Sequence, residues 1–204
     1  MQRRRHGTCR ATAVGLLAVA LLVSSSSSAQ TIVQTAQLLP NGAAGDEIGY
    51  SLAVDGTTLV VGARRDSVGD HLSQGSAHVY VLVDGVWTLQ AKLIASDGAF
   101  NDQFGTSVAI DGDTVVVGAP SDDVGTVVDQ GSAYVFVRSG ATWTEQQRLS
   151  VGGAAADLFG WSVAVSGDRV LVGAPMDDVG GSANQGTAYS FLRSHGVWSP
   201  EYTF

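Results

Sequence analysis

The chain has 204 residues, 26 of them Gly, with 45% hydrophobic and 15% charged residues, one Cys and a formal net charge of −8. Gly lies well above its usual share of roughly 7% and charged residues well below their usual roughly 25%. The acids are sixteen Asp against three Glu, a turn former in place of a helix former, which excludes helical bundles and coiled coils, while the apolar content excludes disorder.

The first 29 residues read as a secretory signal peptide. Arg3, Arg4, Arg5 and Arg10 precede an apolar run from Ala11 to Val23, and Ser27 and Ala29 supply the small residues of a cleavage site before Gln30. The apolar run has thirteen residues, short of the roughly 18 that a spanning helix needs, so no membrane span is expected after cleavage. Cys9 leaves with this segment. The mature chain then carries seven basic and nineteen acidic residues, a net charge of −12. Such a chain repels phosphate backbones and anionic lipid, so nucleic acid is not an expected partner. Secretion or residence at the cell surface is the expected fate.

Beyond the leader the sequence repeats. Gly49, Gly105 and Gly160 are spaced 56 and 55 apart, and so are Asp46, Asp102 and Asp157; Gly62, Gly118 and Gly173; Gly75, Gly131 and Gly186; and Trp87, Trp143 and Trp198. Shared spacing of five landmarks defines three units. Residues 30–48 precede them as an orphan outer strand and linker, with Leu38 in the place of Leu93 and Leu149. The units themselves are residues 49–103, 104–158 and 159–204, the last ending within its final strand.

Each unit reads as four short strands. The first covers 49–54, 104–110 and 159–165, with Ser, Val and Ala alternating. The second covers 58–63, 114–119 and 169–174, nearly continuous Val and Leu, as in a strand covered on both faces. The third covers 76–83, 132–138 and 187–193, rich in Val, Tyr and Phe. The fourth starts at each repeated Trp. Asp55-Gly56 and Asp111-Gly112 between the first two strands are expected to tolerate positive φ at both central positions of a tight hairpin, with Ser166-Gly167 in the same place. Four antiparallel strands per repeat, stacked in series, describe an all-β fold of β-propeller blades. Three blades leave the ring incomplete, with apolar faces at both ends, so the chain is expected either to self-associate through the open blade edges or to be a truncated reading of a longer gene.

Phe104-Gly105 and Phe159-Gly160, followed by Gly118-Ala119-Pro120 and Gly173-Ala174-Pro175, carry a family resemblance. Together with QGSAYVFVRSG and TW, they are similar to the FG-GAP repeat in its short bacterial form. That repeat builds the propeller head of integrin alpha subunits. The resemblance implies propeller blades and surface recognition or adhesion. The first unit departs from it at Ile48-Gly49 and at Gly62-Ala63-Arg64. The integrin-type cation loop is not carried over, because a two-residue link cannot supply six or more oxygen ligands.

A second acidic loop lies between the second and third strands, with Asp66, then Asp122 and Asp123, then Asp177 and Asp178, and Asp129 further along the middle loop. Such carboxylates can coordinate calcium. They can equally bond their own loop backbone, and the lack of an alternating ligand pattern favours that reading, so no cofactor is expected. The repeated Trp87, Trp143 and Trp198 read as packing residues. Trp161, where the other units have Tyr50 and Thr106, is the candidate ligand contact. His71, His78 and His195 share no metal spacing and are expected at the surface.

No motif pairs a nucleophile with a base, so the chain is not expected to be an enzyme. The expected function is that of an exported, noncatalytic propeller module contacting protein or glycan at a cell surface. The alternatives are a carbohydrate-binding module and an accessory part of a larger secreted protein.

Overall fold

The structure is a computed structural model and describes residues 42–204. The leader and the orphan strand expected over 31–39 lie outside the described residues. Twelve strands follow in order: β1 (Ile48–Asp55), β2 (Thr58–Ala63), β3 (Ser76–Val83), β4 (Val86–Leu93), β5 (Ser107–Asp111), β6 (Thr114–Ala119), β7 (Ser132–Ser139), β8 (Thr142–Leu149), β9 (Ser162–Ser166), β10 (Arg169–Ala174), β11 (Thr187–Ser194) and β12 (Val197–Thr203). They form three four-stranded antiparallel meanders, β1–β4, β5–β8 and β9–β12. These are blades 1, 2 and 3 of an incomplete propeller. Among the described residues there is no helix and no closed sheet.

The valine-rich second strands serve two cores at once. In β6, Val115 and Val117 point into the cluster shared with blade 1, where they meet Val60, Val79, Leu93 and Phe104. Val116, on the opposite face, joins the cluster shared with blade 3, with Val135, Leu149, Phe159, Val170 and Phe191. Alternation within an all-apolar strand therefore assigns successive side chains to successive blade interfaces. Phe104 and Phe159 are fully buried in these two interfaces. Each ring meets a Tyr and a Phe of its own blade at tilted or edge-on angles: Phe104 with Tyr134 and Phe136, Phe159 with Tyr189 and Phe191.

Three expectations need correction. The Phe-Gly pairs lie before the strands, since β5 and β9 begin at Ser107 and Ser162. Phe104 instead forms an isolated parallel bridge to Gly75. In the first hairpins, Asp55 and Asp111 are the last strand residues, paired with Thr58 and Thr114. The central pairs are thus Gly56-Thr57 and Gly112-Asp113, with positive φ at the Gly alone, as in a type II′ turn. Finally, His78 is buried, because it occupies the inward position that Tyr134 and Tyr189 hold in β7 and β11, while His71 and His195 are exposed.

Hydrogen bonds stitch one blade to the next at repeated places. Ser51 and Ser107 donate their hydroxyls to the carbonyls of Gly105 and Gly160, both at 2.8 Å. The carboxylates of Asp55 and Asp111 accept the backbone N–H of Gly112 and Gly167 in the following blade. Trp143 and Trp198 donate their indole N–H groups to Gln90 and Gln146 of the preceding blade at 2.8 and 2.9 Å. A Cβ at Gly62 or Gly118 would overlap the carbonyl of Gly105 or Gly160, so close approach of blades requires glycine there.

Candidate recognition edge

The antiparallel meander places the β2–β3 loop (64–75), the β6–β7 loop (120–131) and the β10–β11 loop (175–186) on one edge of the sheets. The inter-blade linkers 94–106 and 150–161 share that edge. Each loop is built alike. Asp66, Asp122 and Asp177 donate their N–H to the carbonyls of Ala63, Ala119 and Ala174, and their own carbonyls accept Gly75, Gly131 and Gly186 N–H at 2.9 Å. Two-residue excursions are closed by the bridges Val68–His71, Val124–Val127 and Val179–Ser182.

The linkers lie against these loops. Asn101 N–H donates to Leu72 O at 3.0 Å, Gln103 N–H to Ser73 O at 3.2 Å and Phe104 N–H to Gln74 O at 2.9 Å. Ala156, Leu158 and Phe159 repeat the pattern on Val128, Asp129 and Gln130. The backbone of the edge is thus pinned while its apolar tips face water: Leu72 is 59% exposed, Phe100 69% and Val128 56%.

Beneath the edge lie two buried aspartates per blade. Asp46, Asp102 and Asp157 accept the backbone N–H of Ala43, Ala99 and Ala154, three residues back, as acids anchoring the approach to each first strand. Burial pushes the Asp102 carboxyl up to about 6, and the Asp122, Asp123 and Asp97 carboxylates add to the rise. Asp157 is raised by burial too, with Asp177 and Asp178 adding to it.

The candidate calcium ligands are engaged within the protein. Asp66 accepts the Ser76 hydroxyl and pairs with Lys92 at 2.7 Å. Asp122 accepts the Tyr134 hydroxyl at 2.9 Å and pairs with Arg148 at 3.1 Å. Asp177 accepts the Tyr189 hydroxyl. Asp123 and Asp178 accept the backbone N–H of Asp129 and Asn184 at 2.9 and 2.7 Å, and Asp129 turns the loop at φ 51°. Among the described residues no group of three or more His, Cys, Asp or Glu converges as a metal site.

Blade 1 breaks the symmetry of these loops. Ser76 Oγ lies 3.1 Å from His78 Nε2 and also donates to Asp66. Asp66 and Ser76 therefore meet the same imidazole nitrogen, and His78 Nδ1 has no hydrogen-bond partner. In an acid–base relay the carboxylate orients the nitrogen remote from the hydroxyl; this order of contacts differs. Ser76 is fully buried. A polar cleft of about 500 Å³ opens beside it, lined by Asp46, Arg65, Asp66, Ser67, Ser73 and Lys92.

Trp161 is 46% exposed at the end of linker 150–161. Its counterpart Tyr50, 45% exposed, carries the Arg64 guanidinium 3.8 Å from its ring centroid, whereas Pro175 stands in the place of Arg64 in blade 3. Trp198 is buried and Trp143 packs half-buried against the first core cluster, in line with their reading as packing residues. The polar stitches Ser51, Ser107, Gln90 and Gln146 are missing from the sequence reading. Their signal is present, since Gln34, Gln90 and Gln146 share the 56-residue spacing.

The family model described as FG-GAP repeat matches residues 32–80, 87–136 and 143–191. No curated protein matches the sequence. The second and third matched units start in the outer strands β4 and β8 and end in the third strand of the following blade. One sequence repeat therefore spans two sheets, running from the Trp of one outer strand through Phe-Gly at the junction to Gly-Ala-Pro of the next blade. With three consecutive repeats matched over more than half its length and folded as stacked four-stranded blades, the chain belongs to the FG-GAP repeat family.

Proposed function

We propose that the chain is an exported, noncatalytic recognition module that mediates adhesion at a cell surface through its loop-bearing edge. The observation that carries this reading is the pairing of a pinned loop backbone with exposed Leu72, Phe100 and Val128. Rigid loops lose little conformational entropy on binding, and exposed apolar side chains on them supply contact area. The noncatalytic part is supported by the contact order around Ser76, His78 and Asp66, which lacks an oriented base. Export rests on the tripartite leader of residues 1–29.

Beads coated with the purified chain should adhere to cells in a saturable manner. Replacing Leu72, Phe100 and Val128 together by Ser should abolish adherence without lowering the melting temperature. Adherence that survives the triple replacement overturns the reading.

Glycan binding is a second reading, favoured by the half-exposed indole of Trp161. Stacking of a sugar face on that ring predicts glycan-array signals that disappear in Trp161→Ala. An array without signal removes this reading and leaves a protein ligand.

A further inference from the structure

Blade 3 ends in the receiving half of an interface that occurs twice within the chain. At the junctions of blades 1 and 2 and of blades 2 and 3, the trailing blade face offers four features. A serine hydroxyl reaches a glycine carbonyl, a glycine lacks the Cβ that would block that carbonyl, a second glycine lies under the Phe backbone, and an acceptor at the outer-strand bulge takes an indole N–H. Blade 3 presents all four. Ser162 holds the place of Ser51 and Ser107, Gly173 that of Gly62 and Gly118, and Gly186 that of Gly75 and Gly131. Glu201 is the bulged residue of β12, as Gln90 and Gln146 are in β4 and β8.

Among the described residues the atoms nearest a Cβ at Gly173 belong to Ser162 and those nearest a Cβ at Gly186 to Pro175, all within blade 3. The apolar counterpart is likewise uncovered. Val116 is buried between blades 2 and 3, whereas Leu171, its equivalent, is 45% exposed and Phe204, the equivalent of buried Leu149, is 73% exposed. A recess of about 320 Å³ lined by Ala164, Val165, Ser166, Arg169 and Leu171 opens on this face.

The inserting half of the same interface is carried by the leading face of blade 1. Leu52 and Val54, equivalents of the Val163 and Val165 that pack against Val116, are 64% and 63% exposed. Ile48-Gly49 holds the place of Phe-Gly, Gly56 N–H that of the donors Gly112 and Gly167, and Trp87 that of the donors Trp143 and Trp198.

We propose that the trailing face of blade 3 binds the leading face of blade 1 of a second copy, head to tail, in the register already used inside the chain. In that register Leu171 meets Leu52 and Val54. Ser162 donates to the Gly49 carbonyl. Ser166 Oγ accepts Gly56 N–H in the place of Asp55 and Asp111. The partner follows from continuity: both halves of one twice-used interface are uncovered among the described residues.

Sedimentation velocity of the full chain over a concentration series tests this. The wild-type chain should associate to dimers or longer species as concentration rises. Gly173→Ala blocks only the trailing face, because in the monomer its new methyl meets just the movable Ser162 hydroxyl; Leu171→Asp is the independent second block. Leu52→Asp blocks the leading face. Each variant alone should sediment as a monomer with wild-type melting. An equimolar mixture of Gly173→Ala and Leu52→Asp should form a 1:1 dimer that grows no further, since each partner retains one competent face. A monomeric wild-type chain, association undiminished by both trailing-face variants, or a mixture that stays monomeric overturns the proposal.

Discussion

The indole N–H of Trp198 donates to Gln146 Oε1 at 2.9 Å, across the boundary between blades 2 and 3. The acceptor stands at the one place where the β7–β8 register slips, between Val135 and Phe136. A bulge turns its extra residue out of the regular alternation, and here that residue faces the next blade. Next to it, Gln147 takes the backbone of the same Trp, accepting its N–H and donating to its carbonyl, both at 2.8 Å. Trp143 and Gln90 repeat the indole contact one blade earlier. The outermost strands, remote from the β1–β5–β9 side, are thus tied by directional polar contacts while the middle strands are held by valine packing.

Removing the acceptor isolates this tie. Gln146→Leu leaves the buried Trp198 N–H unpaired and should lower unfolding free energy by about 2 kcal/mol. Gln90→Leu should cost less than about 1 kcal/mol, because Trp143 is half-exposed and water can replace the lost partner. Urea denaturation of both variants checks the ordering; equal losses would show that the indole contacts do not set it.

The junction glycines and phenylalanines should be far less tolerant. Gly118→Ala drives a methyl into the Gly160 carbonyl, a backbone atom that cannot move without parting two blades. About 3 kcal/mol of destabilisation is expected. Phe159→Ala empties a fully buried site between two sheets and should cost about 3–5 kcal/mol. Losses below about 1 kcal/mol in denaturant titrations would mean the blades are not held at these points.

Fold and repeat phase were legible because their signals are backbone signals. Gly at positive φ, Asp in turns and Trp at strand starts recur at fixed spacing, and β6 shows its double burial as an unbroken Val run. What escaped depends on side chains crossing between repeats. Asp55 and Asp111 read as turn formers, yet their carboxylates reach the next blade's hairpin. His78 read as a surface residue because a lone His carries no period, while its burial follows from its register with Tyr134 and Tyr189. The edge was half legible: the acidic loops were visible, but the exposed Leu72, Phe100 and Val128 occupy loop tips that no pattern distinguishes from core residues.

Calcium should leave thermal melting unchanged relative to a chelator control. A site needs six or more oxygen ligands, and the carboxylates of Asp122, Asp123, Asp177 and Asp178 are already hydrogen-bonded within their own blades. A ligand that binds only the folded state raises stability by mass action, so a calcium-dependent rise in melting temperature would contradict this account of the loops.

Asp102 should make the protein more stable at mildly acid than at neutral pH. Its folded-state pKa, about 6, lies above the ordinary 3.8 because burial disfavours the charge. Below 3.8 both states hold the proton. As pH rises from there to about 6 the unfolded state releases its proton first, and stability is lost across that window. Asp102→Asn keeps an oxygen for the Ala99 N–H but cannot ionise. It should match the wild type near pH 4 and exceed it by about 1–2 kcal/mol at pH 7. A variant difference that does not grow with pH would remove Asp102 as the cause.

His78 acts in the opposite direction. Burial, reinforced by Lys92, lowers its pKa below the ordinary 6.5 against the opposing pull of Asp66 and Asp46. Above 6.5 the imidazole is neutral in both states and contributes no pH dependence. As pH falls through 6.5 toward the depressed folded value, the unfolded state takes up the proton first and stability declines. His78→Tyr places in blade 1 the residue that bonds Asp122 and Asp177 in the other blades, with Asp66 as its acceptor, and removes the titration. Its stability advantage over the wild type should therefore widen as pH falls from 7 to 5. Parallel urea midpoints for the two proteins across that range would show that burial does not lower the His78 pKa in the folded state. Convergence toward acid would show that the imidazolium is stabilised where it sits, by Asp66.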